Sequence, residues 1–218
     1  MDTLIIGFLA VFYGTGALIL FGIALSWRRH RRFLFISLAL TFLLYYAGGL
    51  AVSLVPGSTQ YQHLRLTWML LGRPFLLSSP VFSFDSERAF NGDGYSIYRY
   101  SLPLAVAESL ERPPETFFTG LPKKPSYRSE WKTKYWRRTP VAQDEQEFVQ
   151  FASPRGYFDD ASRSEAEFLQ QLLREEDNYY AYFYFMAGPL NGITWPGNID
   201  FFVLSPRRRV LYVINHNT

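Results

Sequence analysis

Arg28-Arg29-His30-Arg31-Arg32 forms a basic clasp between two runs without a charged residue, residues 4–27 and 33–55. Each run is longer than 20 residues. At about 1.5 Å of rise per residue, helices of that length span the roughly 30 Å hydrocarbon core of a bilayer. The pattern predicts a two-helix transmembrane hairpin over residues 1–57, followed by a small α+β domain with a mainly antiparallel sheet. A cleaved signal peptide is the rival for the first run. Against it stand the start Met1-Asp2-Thr3, which lacks a basic residue, the length of the run, and the second run that follows at once. Trp27 beside the clasp is expected as an interfacial anchor.

The clasp also sets the expected topology. Arg28, Arg29, Arg31 and Arg32 within five residues favour the cytoplasmic side, and the amino terminus has no basic residue to compete. Both termini are then extracytoplasmic, and the expected location is a bacterial cytoplasmic (inner) membrane, multi-pass with two spans, with the domain in the periplasm. The lipid bilayer is thereby one expected partner. Neither run contains Asp, Glu, Lys or Arg, which argues against an ion path or proton relay.

The clasp accounts for the basic balance as well. The chain carries 22 Lys and Arg against 19 Asp and Glu, a net charge of +3. Residues 1–57 hold four arginines and one aspartate, so the remainder is neutral, with 18 basic and 18 acidic residues (22 − 4 and 19 − 1). Nucleic-acid binding, which needs a basic face for phosphates, loses its support. With no cysteine, disulfides, thiolate metal sites and a cysteine nucleophile are excluded.

Residues 58–80 form a connector that divides at Arg73-Pro74. It is too interrupted for a third span and fits either a membrane-surface helix or a segment packed on the domain. From Val81 the pattern is that of a compact α+β domain, 81–218. Val81 to Asp85 and Tyr95 to Leu102 read as strands, with turn chemistry at Asn91-Gly92-Asp93-Gly94. Leu104 to Leu110 is expected as a short helix ended by Pro113-Pro114, and Glu130 to Arg138 as a strand. Thr139-Pro140 is expected to open a helix with Val141, Phe148 and Ala152 on one face. Ser164 and Glu167 form a capping box ahead of an apolar stripe, Phe168, Leu169, Leu172 and Leu173. Tyr179 to Met186, Ile199 to Leu204 and Val210 to Ile214 read as an antiparallel unit with a polar turn at Ser205 to Arg209, and the helices are expected to cover one face.

Few residues carry a chemical signature. The glycine-rich turn at Asn91 lacks the further carboxylates of a calcium loop and the Lys-Ser/Thr of a phosphate loop. Asp85, Glu87 and Asp93 lie close in sequence and, if they converge, permit general acid–base or glycosidase-type chemistry in a periplasmic hydrolase. His216 is the only histidine of the domain and has no nucleophile elbow or second imidazole beside it. No cofactor and no metal site is expected.

The uneven feature is charge. Residues 112–138 hold eight basic and two acidic residues, interleaved with aromatics, and 144–177 hold ten acidic and three basic. Such blocks either steer a partner of complementary charge or meet within the fold. Tyr127, Arg128, Trp131, Tyr135, Trp136 and Arg137 are of the types enriched at interface hot spots and form the expected contact set for a protein partner. The layout of a two-span hairpin with one small outward domain is similar to that of bacterial toxin-immunity and envelope accessory proteins, a likeness that carries no residues across. The expectation is a non-catalytic, membrane-anchored binding module. A carboxylate hydrolase and a structural subunit of a membrane complex are the alternatives.

Overall fold

The computed structural model describes residues 40–43, 45, 48, 58–86, 89, 93–153, 160–190 and 193–217. The chain divides into two units, residues 1–62 and 63–218. Arg28, Arg29, Arg31 and Arg32 and nearly all of both expected spans lie outside the described residues. The exceptions are helical pieces at 40–43, 45 and 48, where Leu40, Phe42, Leu43 and Tyr45 are exposed.

Among the described residues no helix is long and apolar enough to cross a membrane. This corrects the expected fold class and location: the transmembrane hairpin is not shown, and a two-span inner-membrane placement has no support from the structure. The helix that follows the second run, α1 (Thr59–Leu71), has 13 residues, about 20 Å at helical rise, and it carries His63 and Arg65 within it.

The observed architecture is one six-stranded antiparallel sheet with helices. Its strands are β1 (Phe82–Asp85), β2 (Gly94–Ser101), β3 (Lys132–Arg138), β4 (Tyr179–Leu190), β5 (Ile193–Ser205) and β6 (Val210–Asn217), in the order β1-β2-β6-β5-β4-β3. Besides α1 and the helical pieces at 40–43, 45 and 48, the helices among the described residues are α2 (Leu104–Glu111), α3 (Glu115–Gly120), α4 (Gln146–Ala152) and α5 (Asp160–Arg174). Short 3-10 turns at Ser126–Arg128 and Gln143–Glu145 complete it. The carboxyl-terminal unit β4-β5-β6 forms as its alternation predicts, with β2 added on β6 and β3 on β4.

Both faces of this sheet are covered, where one was expected. Along β4, Tyr179, Ala181 and Phe183 enter one core with Leu70 and Leu71 of α1, Ala107 and Leu110 of α2 and Phe117 of α3. Tyr180 and Tyr182 enter the other, against Val149 and Ala152 of α4 and Leu169, Leu172 and Leu173 of α5. Successive strand residues point to opposite faces, so a strand apolar on both sides needs cover on both.

Where the connector is part of the larger unit, it packs on the sheet. Leu70, Leu71 and Leu77 are buried, and Thr67 ties α1 to the chain after it by accepting the Phe75 amide at 3.0 Å. Gly72 ends the helix with φ +73°, a left-handed position suited to glycine.

Two helix starts differ from expectation. Thr139 does not cap a helix: its hydroxyl donates to the Glu175 carbonyl at 2.5 Å and accepts the Asn178 amide at 3.2 Å, tying the end of β3 to the α5–β4 turn. The helix begins only after the Gln143–Glu145 turn. Ser164 lies inside α5 instead of at its start, while the stripe of Leu169, Leu172 and Leu173 is buried as its spacing predicts.

Candidate protein-binding surface

The basic-aromatic stretch enters through Pro125, whose φ of −62° is compatible with the single 3-10 turn that follows. Lys124 then fixes the loop by donating Nζ hydrogen bonds to the carbonyls of Ser129 and Trp131, both at 2.7 Å. Arg128 lies with its guanidinium 4.0 Å from the Trp131 ring centre and 5.5 Å from that of Tyr127, and it pairs with Asp200 of β5. Asn215 of β6 donates to Asp200 at 2.6 Å, which orients the carboxylate toward its arginine. Burial lowers the pKa of Arg128, opposed by Tyr127. The guanidinium is thus held in place by ring faces and an oriented acid.

Around this cluster opens a cavity of about 290 Å³, lined by residues 127–131 together with Phe185 of β4 and Asn198 of β5. Tyr127 is 69% exposed and Phe185 38%. Tyr127, Arg128 and Trp131 of the expected contact set are therefore brought together at one opening. Phe185, which lay in a strand reading that gave it no surface role, and Asn198, just before the next expected strand, complete it, and only the β4–β5 register places them here.

The remainder of the contact set separates from this opening. Tyr135 is 45% exposed on β3. Trp136 is 1% exposed, stacks on Phe117 at 5.3 Å and donates its Nε1 hydrogen to the Leu70 carbonyl at 2.8 Å. No partner can reach it, which removes it from the contact set: β3 pairs irregularly with β4 between Lys134 and Arg137, and there the ring enters the core opposite the Glu145 side.

Arg137 pairs with Glu145 at 3.2 Å, beside Lys134 at 3.0 Å, and the Tyr180 hydroxyl donates to the same carboxylate at 2.6 Å. Burial acts to raise the pKa of Glu145. The Tyr180 hydrogen bond and the two cations outweigh it and hold the carboxyl below its ordinary range. In return, burial and the neighbouring carboxylate push Tyr180 up to about 12. A second buried acid, Glu165 of α5, accepts from the Tyr212 hydroxyl and pairs with Arg99 at 2.7 Å. Sequence reading missed both, because each sits in an acidic run that looks solvated. The available signal was the row of tyrosines on the facing strands.

The two charge blocks thus meet within the fold in part. Lys134 and Arg137 are engaged by Glu145, and Arg128 of the basic block pairs with Asp200 outside the acidic one. Lys123 lies over Trp68 at 4.4 Å and Lys132 over Tyr184 at 6.0 Å.

The candidate catalytic acids are placed as follows. Asp85, exposed at the end of β1, accepts the Tyr98 hydroxyl at 2.6 Å. Asp93 immediately precedes β2 and is half-buried, and Glu87 lies outside the described residues, as do Asn91 and Gly92 of the turn. The His216 ring stacks on Phe151 at 4.3 Å, with Nδ1 2.7 Å from the Phe151 carbonyl, so it fastens α4 to β6. Among the described residues no group of three or more His, Asp or Glu side chains is placed to hold a metal ion. No family model matches the chain, and neither a curated protein nor a solved structure matches it.

Proposed function

We propose that the chain is a non-catalytic binding module for a protein partner, acting by occupying that partner through the opening edged by Tyr127, Trp131 and Phe185. The observation that carries this reading is the pairing of an exposed Tyr127 with a locked Arg128 beside a cavity of about 290 Å³. Aromatic side chains present a large contact area at low conformational cost, and an arginine already fixed in place loses little freedom on binding. Contact through shape and aromatic area fits better than steering by charge, since the cations nearest the opening already have internal partners. Occupation of a partner is also how an immunity-type protein would act.

A photo-crosslinking residue at position 127 of the full chain, in cells that produce the protein natively, tests this. The expected result is a discrete adduct that is absent when the same group replaces Leu104, an exposed residue of α2. Excess unlabelled chain should compete the adduct away, and excess Trp131→Ala chain should not. Equal labelling from both positions, or competition by the Trp131→Ala chain as effective as by the unaltered one, would contradict the reading.

A further inference from the structure

A second cavity, of about 300 Å³, lies away from the Tyr127 opening and brings together three arginines from three separate segments. Arg112 follows α2, Arg138 ends β3, and Arg207 sits in the turn between β5 and β6; Glu111, Asp177 and Pro206 complete the lining. Each wall is fastened. The Tyr179 hydroxyl donates to the Glu111 carbonyl at 3.4 Å, and the Leu102 amide just before α2 donates to the Arg209 carbonyl at 2.8 Å. Thr139 holds the end of β3 to the Asp177 turn.

The three guanidiniums are not equivalent. Arg207 pairs with Asp177 at 2.7 Å. Arg138 lies over the rings of Phe118 and Tyr179, at 5.3 Å and 5.6 Å, also donates a hydrogen bond to the Tyr179 hydroxyl, and makes no salt bridge among the described residues. Neither does Arg112, which leaves Glu111 as the one further acid of the lining. A guanidinium carries five N–H donors, so one hydrogen bond to Tyr179 leaves the others to meet an anion. This is the reverse of the Tyr127 opening, where the arginine already has its carboxylate.

We infer that this cavity binds the phosphoryl group of a small phosphorylated ligand, with Arg138 and Arg112 as its principal donors and Arg207 at the edge. A phosphoryl group offers three acceptor oxygens and close to two negative charges, enough to serve more than one guanidinium at once. A single carboxylate is matched by one arginine fork.

The test is a titration of the full chain with inorganic pyrophosphate, followed through the arginine Nε–Hε signals by nuclear magnetic resonance, with citrate as the carboxylate comparison. The expected result is saturable shifts confined to Arg112, Arg138 and Arg207, with binding weakened by about tenfold or more in Arg138→Ala and in Arg112→Ala. Arg112→Ala disturbs no ion pair seen among the described residues and serves as the decisive variant if loss of Arg138 from its rings harms folding. Non-saturating shifts spread over Arg99 and Arg174 as well, binding unchanged by Arg112→Ala, or citrate binding as tightly as pyrophosphate would each overturn the inference.

Discussion

Residues 127–131 and 134–137 each contain a tyrosine, a tryptophan and an arginine, and are placed in opposite ways. The first group surrounds an opening to solvent, with Tyr127 on its lip. The second is tied to the structure's interior: Trp136 lies in one core, and the partly exposed Lys134 and Arg137 are fastened to a buried glutamate on the other side of the sheet. The difference arises at the start of β3. Once the chain pairs with β4, its side chains are directed to the sheet's two faces, with a break in register between Lys134 and Arg137, whereas the loop before it is free to turn its rings outward. Aromatic and basic residues therefore mark a surface here only when the strand register is known.

The sharpest way to break the comparison is to truncate its most buried member. Trp136→Ala removes a stacked, hydrogen-bonded indole and should cost about 3–5 kcal/mol in urea unfolding; a loss below about 1 kcal/mol would place the ring elsewhere. Glu145→Ala comes next. It leaves Lys134, Arg137 and the Tyr180 hydroxyl without their acceptor. Because Lys134 and Arg137 are 32% and 47% exposed, water can re-solvate them, so the cost should be about 2–3 kcal/mol, below that of a fully enclosed pair.

Acid sharpens the same contrast. The folded-state pKa of Glu145 is depressed, so its stabilising contribution is fully present above the ordinary value of 4.5 and is lost as pH falls through the lower folded value. Glu145→Gln should therefore narrow the gap in stability from the unaltered chain as the pH is lowered below that value, and equal slopes for the two chains across this window would argue against the pairing. At the small end, Tyr127→Ala should change stability by less than about 0.5 kcal/mol, measured in the same urea series, because its ring faces solvent.

What the sequence disclosed follows the same physical line. The centres of β4, β5 and β6 were legible from runs of aromatic and β-branched residues, which Pro206 with its arginines interrupts, whereas the irregular pairing of β4 beyond Phe185 was not. The buried stripe of α5 was legible from its 3.6-residue period. The second covered face was encoded too, in Tyr180 and Tyr182, but tyrosine reads as half-polar and so as solvent-facing until Glu145 is seen beside it. Trp136 was misplaced because tryptophan is favoured equally by cores and by interfaces. Residues 4–27 and 33–55 raised the strongest expectation of all from hydropathy, and the described structure bears instead on the sheet that follows them. The Arg138 cavity could not be read from sequence, since its three arginines come from segments far apart along the chain.

The most direct measurement is the solvent accessibility of the two indoles that flank the divide. With 5-fluorotryptophan incorporated and the signals assigned through Trp131→Phe and Trp136→Phe, a soluble paramagnetic agent should broaden the Trp131 fluorine resonance and leave that of Trp136 sharp. Equal broadening of both, or stronger broadening of Trp136, would contradict the division of this stretch into an open lip and a buried lock.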